Sequence, residues 1–497
     1  MPTKGSDSAS RPNAAATGAP LVLDLDGTLT YADTLAELSV RVIKSAPLSI
    51  FLFPWYLLKG KARFKDFISS QLNFDPQGIP YREELIEYVR AQRRSGRRTI
   101  LATAANESIA QAVAAHLDLF DQVLASDRTT NLKGEVKLAA IRREVGQTFS
   151  YAADSAADLP IWRAATTAIA VNCPASLVRE INSVAVMERI FPGRSRLEKL
   201  RAWVSMLRLH QWVKNLLIFV PLVTSFQFLE ISKVVALVQG FLAFSLIASA
   251  TYVANDIWDL RSDRAHPRKR NRPLASGSIS IARGALGALV LLGAGMALAW
   301  YDSKAFAGVL VGYLTLTIVY TWALKALVLL DVLMLSLLFA IRIIAGSVLA
   351  SAPVSTWLFG FAIFMFISLA LVKRAGELVA LEQLGMSSTK GRDYRVTDLN
   401  ILLPLGVGTA LSAIVVFCLF ISAPETRARY RSPELLWLVA FGLVYWSARL
   451  WVKVSRGEMH DDPIVFAAKD LNSRIMIVGM VGLVMLAHFV SMSRLFE

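Results

Sequence analysis

The apolar pattern changes character about two-fifths of the way along the chain. Before residue 210 the ordered runs are short, as in Leu21-Val22-Leu23-Asp24-Leu25-Asp26-Gly27-Thr28-Leu29, a β-prone segment that breaks at a glycine, and Arg98-Thr99-Ile100-Leu101-Ala102, a second β-like run. After it, apolar stretches of spanning length fall at about 212–228, 233–254, 281–300, 305–322, 326–349, 354–372, 400–421, 434–452 and 474–492. The pattern predicts an N-terminal α/β domain and a C-terminal all-α polytopic membrane bundle of about nine helices. Very short turns near Tyr301 and Lys325 leave eight as the alternative.

Composition agrees with this division. The 497 residues have room for two or three domains, 55% of them are hydrophobic, and mean hydropathy is +0.47. The net charge of +15 fits membrane topology and phosphate binding better than nucleic-acid recognition. Arg189, Arg194, Arg196, Lys199, Arg201, Arg208 and Lys214 make residues 186–210 and the entry to the first span a basic linker, which predicts a cytoplasmic side. Alternation then puts loops 255–280, 373–399 and 453–473 on that same face. Cys173 and Cys418 have no ligand spacing and read as packing residues. Residues 1–19 read as a disordered leader. Residues 46–65 are apolar, aromatic and then basic, yet too short to span; they form either an interfacial helix on anionic lipid or a buried helix.

The chemistry gathers in Asn255-Asp256-Ile257-Trp258-Asp259-Leu260-Arg261-Ser262-Asp263 and the basic run that follows. In a helix, Asp256, Asp259 and Asp263 share one face. Three stacked carboxylates need cations, and Mg²⁺ bridging to a phosphorylated substrate suits oxygen ligands. The alternative is a solvated loop whose charges only fix topology. Within the spans, Asp331 is placed to reach this site, and Arg342, eleven residues on, to pair structurally near the opposite side. Asp461 and Asp462 either approach the same mouth or cap the last helix.

Asp24-x-Asp26-Gly27-Thr28 resembles motif one of the haloacid dehalogenase (HAD) superfamily, mostly Mg²⁺-dependent phosphatases. The resemblance implies a Rossmann-like domain over residues 20–185 with a small helical cap at about 31–95. It makes Asp24 the phosphoryl acceptor and Asp26 the general acid/base, both touching Mg²⁺, Asp26 through its carbonyl. Thr103 matches the phosphoryl-binding threonine, and Lys133 the motif-three lysine with Lys137 as runner-up. Asp154 and Asp158 match the metal carboxylates, although Ala153 stands where the family usually has glycine.

Asn255-Asp256-x-x-Asp259-x-x-x-Asp263 with Lys269-Arg270-Asn271-Arg272-Pro273 resembles the first signature of the UbiA-type intramembrane prenyltransferases, over the membrane domain at 211–497. There Mg²⁺ bridges the carboxylates to a diphosphate. The later loop, with Lys373-Arg374-Ala375-Gly376-Glu377, departs from the family's second aspartate-rich repeat. Leu209-His210-Gln211-Trp212-Val213-Lys214-Asn215 and Asp461-Asp462-Pro463 are similar to the decaprenyl-phosphate phosphoribosyltransferase branch. That resemblance implies transfer of 5-phosphoribose from phosphoribosyl diphosphate to a polyprenyl phosphate at the inner membrane. Asp256, Asp259 and Asp263 would hold Mg²⁺ and Asn255 would support the metal or ribose shell. Lys269, Arg270, Arg272, Lys373 and Arg374 would bind the donor phosphates, and Lys214 the lipid phosphate. A prenyltransferase using polyprenyl diphosphate and an aromatic acceptor, and a transporter with a regulatory domain, are the competing readings.

Overall fold

The computed structural model describes residues 18–352, 355–387, 392–459 and 462–491. The expected leader falls almost wholly outside these residues, as does Asp461. The chain forms two compact units. One joins the chain up to Leu207 with Val253–Gly287, and the other joins Arg208–Tyr252 with the chain from Ala288 onward.

The first unit is built on a six-stranded parallel sheet: β1 (Leu21–Leu23), β2 (Thr99–Asn106), β3 (Gln122–Ser126), β4 (Ser150–Ala153), β5 (Thr167–Val171) and β6 (Val186–Phe191). Their order is β3-β2-β1-β4-β5-β6. Val22 pairs with Ile100 on one side and Tyr151 on the other, so β1 is central. Successive side chains alternate between faces, and helices cover both, which is why these strands read as unbroken apolar runs. Leu21, Leu23, Leu101 and Ile169 enter one core, and Val22, Ile100, Tyr151 and Ala168 the other. The expected linker at 186–210 is ordered: it supplies β6 and then the helix Arg196–Leu207.

Between β1 and β2 lie α1 (Thr34–Ser45), the 3₁₀-then-α segment Pro47–Leu58 and α2 (Lys61–Gln71). Asp33 caps α1 by accepting from the Ala36 N–H at 2.9 Å. Helix α3 (Glu135–Glu144) follows Gly134, after β3.

In the second unit and its continuations, eight helices among the described residues are long and apolar enough to cross a membrane. They are Ile231–Trp258, Ile281–Asp302, Lys304–Leu324, Leu330–Ala350, Thr356–Gln383, Val396–Ser422, Pro433–Ser455 and Leu471–Phe489. The expected first span is different: Leu209–Phe219 is 3₁₀ and only Val220–Thr224 is α. Pro221 has no N–H to extend the α-helical ladder backward. Because a 3₁₀ residue rises ~2.0 Å rather than ~1.5 Å, these sixteen residues still reach roughly 30 Å, about the thickness of a hydrocarbon core. Gly346 lets the Leu330–Ala350 helix press against this segment, since a Cβ there would lie 1.9 Å from the Ile218 carbonyl oxygen.

Candidate active sites

The carboxyl ends of the central strands bring the first acidic centre together. β1 delivers Asp24, whose N–H donates to the Ala152 carbonyl at 3.0 Å, and β4 delivers Asp154. A 3₁₀ turn at Ala156–Asp158 returns Asp158 to the same place. One oxygen from each of the three carboxylates lies within 4.8 Å of the others. Gly27, at φ +79°, turns the chain tightly beneath them; a Cβ there would stand 2.2 Å from Asp154 Oδ2.

Lys137, not Lys133, supplies the positive charge. Its Nζ lies 3.0 Å from Asp24 Oδ1 and 3.5 Å from Asp158 Oδ1, and donates to Tyr151 Oη at 3.0 Å. The turn at Gly134 leaves Lys133 exposed, whereas Lys137, on the first turn of α3, points into the sheet end and is buried. Tyr151 was not assigned a role from sequence; its hydroxyl donates to Asp158 Oδ1 at 3.0 Å. Thr103 is buried on β2, two residues past the Leu23–Leu101 pair, and its hydroxyl accepts from the Ala105 N–H at 3.0 Å.

Asp26 is held at the start of α1, where it accepts from Thr34 N–H at 2.9 Å and Thr34 Oγ1 at 3.3 Å. A cavity of about 110 Å³ opens beside it, lined also by Lys65, Ser69 and Asn106. Burial, then Asp33, pushes the Asp26 carboxyl up to about 7. Burial, then Asp24, does the same to Asp154, and Asp158 is raised by burial against the pull of Lys137. Burial opposes the Lys137 cation, but Asp24 and Asp158 outweigh it and hold its pKa above the usual lysine value. Three clustered carboxylates with this much uncompensated charge fit a hard divalent cation.

The second acidic centre lies at the end of the Ile231–Trp258 helix. The helix breaks at Asp259, yet i→i−4 bonds continue across it: Asp259 N–H to Asn255 O and Asp263 N–H to Asp259 O, both 2.9 Å. The expected shared face divides in two. Arg272 bridges Asp256 at 3.0 Å and Asp263 at 2.5 Å, both carboxylates being buried. Asp259 instead approaches Lys44 of α1 at 3.9 Å. The Asn255 amide oxygen is buried without a hydrogen-bond partner among the described residues. Two buried carboxylates that share Arg272 fit a cation site, with Arg272 as a present counter-charge. Lys269 and Arg270 are exposed on a 3₁₀ turn.

Sequence gave no hint that α1 grips this segment. Arg264 makes a two-pronged ion pair with Glu37, at 2.7 and 2.5 Å, and donates to the carbonyls of Ala275 and Gly78. Lys44 Nζ donates to the Trp258 carbonyl at 3.1 Å, and Arg261 pairs with Asp75.

The membrane unit has its own polar clusters. Lys214 and Lys373 converge on Asp462, at 2.7 and 3.5 Å. Arg342 is not remote, as the sequence suggested: its Nε donates to Asn215 Oδ1 at 2.9 Å, beside Lys214, and its guanidinium is ringed by Phe244, Tyr313 and Phe339. Arg374 belongs to a different network. It is 1% exposed, bound to Asp331, to Glu377 at 2.8 Å and to the Tyr320 hydroxyl at 3.1 Å. Tyr394 closes that network on Asp331 at 2.6 Å. The helix runs eleven residues past its expected end, to Gln383, so adjacent Lys373 and Arg374 leave it in different directions.

A parallel-sheet phosphohydrolase centre and an apolar bundle with an acidic helix end together define a two-part, multi-pass membrane enzyme. The UbiA prenyltransferase family model matches residues 222–472, and the haloacid dehalogenase-like hydrolase model matches residues 21–163. The chain belongs to the UbiA prenyltransferase family and carries a haloacid dehalogenase-like domain at its N-terminus. It is 39% identical to an uncharacterised protein of Sinorhizobium fredii over 456 residues, 91% of this chain and 88% of that one. It is 32% identical to the nodulation protein NoeC of Azorhizobium caulinodans, over 58% of this chain and 93% of that one. It is 33% identical to the decaprenyl-phosphate phosphoribosyltransferase of Mycobacterium tuberculosis, over 43% and 71% respectively. A solved UbiA homologue from Archaeoglobus fulgidus bound to GPP and Mg²⁺ is 17% identical, covering 58% of this chain and 100% of that one at a TM-score of 0.43.

Proposed function

We propose that the membrane part moves 5-phosphoribose from phosphoribosyl diphosphate to a polyprenyl phosphate, and that the N-terminal domain then removes the 5-phosphate of the lipid product. The observation that carries the reading is the convergence of Lys214 and Lys373 on Asp462, a pair of cations suited to a phosphate monoester. The similarity to decaprenyl-phosphate phosphoribosyltransferase supports it.

In the transfer, the lipid phosphate oxygen forms a bond to ribose C1 as the C1–O bond to diphosphate breaks. The nucleophile is already anionic and needs no general base. Lys214 and Lys373 are assigned to the lipid phosphate, and Asn255 and Arg272 to the donor, with Arg272 exchanging its carboxylate partners for donor phosphate oxygens. Asp256, Asp259 and Asp263 at this centre, and Asp24, Asp154, Asp158 and the Asp26 carbonyl at the other, would hold Mg²⁺, which when bound neutralises phosphate oxygens. In the second step Asp24 attacks phosphorus, Lys137 balances the Asp24 charge, Thr103 binds the phosphoryl oxygens, and Asp26 protonates the departing alcohol; water, giving its proton to Asp26, then attacks the phosphorus and frees Asp24 and phosphate. Its carboxyl, held near 7, can carry that proton at neutral pH. Both centres are assigned to the cytoplasmic side of the inner membrane, where the soluble donor is supplied.

Full-length protein in proteoliposomes, given phosphoribosyl diphosphate and polyprenyl phosphate, should yield a polyprenyl phosphoribose lacking the 5-phosphate by mass spectrometry. Asp24→Asn should accumulate the 5-phosphorylated lipid. Consumption of polyprenyl diphosphate with an aromatic acceptor instead would overturn the first step, and identical products from both proteins would overturn the second.

A further inference from the structure

The segment Pro47–Leu58, between α1 and α2, uses one face to hold the domain and leaves the other uncovered. On the inner face Phe53 packs edge-on against Phe64 at 5.3 Å, and Tyr56 stacks on Phe67 at 4.0 Å, fixing the segment to α2. On the outer face Leu48, Phe51, Trp55 and Leu58 recur at offsets of three, four and three. Their exposures are 77, 76, 58 and 86%. Ile50, Leu52 and Leu57 extend the patch. So much contiguous apolar surface is unusual on a domain surrounded only by water.

Charge says what covers it. Lys59, Lys61 and Arg63 follow at once and are exposed, with the Lys59 ammonium 4.6 Å from the Trp55 ring centroid. Residues 38–65 hold no acidic side chain. An apolar face ending in an aromatic and a basic rim matches the layering of a bilayer surface, from acyl chain through interface to anionic headgroup. The same chain carries eight helices of spanning length, so a bilayer is always within reach. We propose that Pro47–Leu58 is an interfacial membrane anchor, inserting Leu48, Phe51, Trp55 and Leu58 among acyl chains and laying Lys59, Lys61 and Arg63 on anionic headgroups. The anchor runs directly into α2, whose Lys65 and Ser69 line the cavity at Asp26. It therefore sets the mouth of the phosphohydrolase at the lipid surface, where a lipid-linked phosphate would present itself. The anchoring does not depend on which sugar or lipid the enzyme handles.

The test uses the full chain with Cys173 and Cys418 changed to serine, in nanodiscs containing anionic lipid. Nitroxides are placed singly at Phe51→Cys, Leu58→Cys and, as a water-facing control on α3, Arg142→Cys. Collisional relaxation by oxygen should exceed that by a water-soluble nickel complex several-fold at 51 and 58, with the reverse at 142. In zwitterionic lipid alone the contrast at 58 should fall at least twofold; an unchanged contrast overturns the role given to the basic residues. Nickel dominance at both 51 and 58 overturns the anchor. Dipolar broadening between singly labelled copies, without oxygen preference, would assign the face to a second copy and overturn it as well.

Discussion

The two acidic centres face the same problem, crowded carboxylates, and meet it in opposite ways. Asp24, Asp154 and Asp158 come from strand ends and a turn fixed by a parallel sheet, and their oxygens converge with Lys137 already seated among them. Asp256, Asp259 and Asp263 come from one nearly continuous helical stretch, where neighbours at offsets of three and four stand ~5–6 Å apart at Cβ. They do not converge. Arg272 gathers two of them and Lys44 approaches the third. The lesson is that strand ends preorganise a charge cluster through the backbone, whereas a helix end is balanced by side chains reaching in from other segments.

The strongest way to break this contrast is at the lysine. Lys137→Met should lower phosphatase turnover on the order of 10²-fold, since it removes a preorganised charge at the phosphoryl site. Lys133→Met should stay within about threefold of wild type, as expected of an exposed side chain. Phosphate release from a small phosphomonoester measures both, and equal losses would refute the assignment of Lys137. A smaller effect is expected at the helix end. Arg272→Ala removes the cation shared by two buried carboxylates and leaves their mutual repulsion less well screened. Added Mg²⁺ should therefore raise the melting temperature of Arg272→Ala more than that of wild type in a detergent thermal-shift titration. An equal response would mean that Arg272 is not standing in for a cation.

The smallest effect concerns the edge of the sheet, far from either chemistry. Burial opposes the charge of Glu188 on β6, yet hydrogen bonds from Arg97, Thr167 and Tyr88 outweigh it and hold the carboxyl at about 2, below its ordinary 4.5. A depressed carboxylate contributes stability that is complete above its unfolded pKa and is lost as pH falls through the folded one. The midpoint of thermal unfolding of the first unit should thus decline between pH 4.5 and 2, and Glu188→Gln should flatten that decline while lowering the midpoint at pH 7.

Much of this architecture could be read from local pattern. The strand-end aspartates announce themselves because a short apolar run stops at Asp24-Leu25-Asp26-Gly27, and the long helices do so through their length. The apolar face of residues 47–58 was equally visible. What stayed hidden depends on geometry that composition does not encode. An apolar run reads alike at 1.5 or 2.0 Å per residue, so the 3₁₀ form of Leu209–Phe219 escaped notice. Lys133 and Lys137 differ only in how Gly134 turns the chain. Lys373 and Arg374 are neighbours in sequence, but their fates separate because the helix continues to Gln383. Glu37 and Arg264 are 227 residues apart, and nothing in either segment names the other.

That last pair bears on how the chain could be divided. The N-terminal compact unit is discontinuous: its second piece, Val253–Gly287, is translated only after the segment Arg208–Tyr252 of the other unit has emerged. A fragment ending at Leu207 would keep the whole sheet and lose the partner of Glu37, while the complementary fragment would keep Arg264 with no acid to meet it. Gene fission at this junction would thus turn an intramolecular ion pair into a binding interface. Two co-expressed halves should recover each other through Glu37 and Arg264, and the residues to vary in such a split are these two rather than any in the covalent junction.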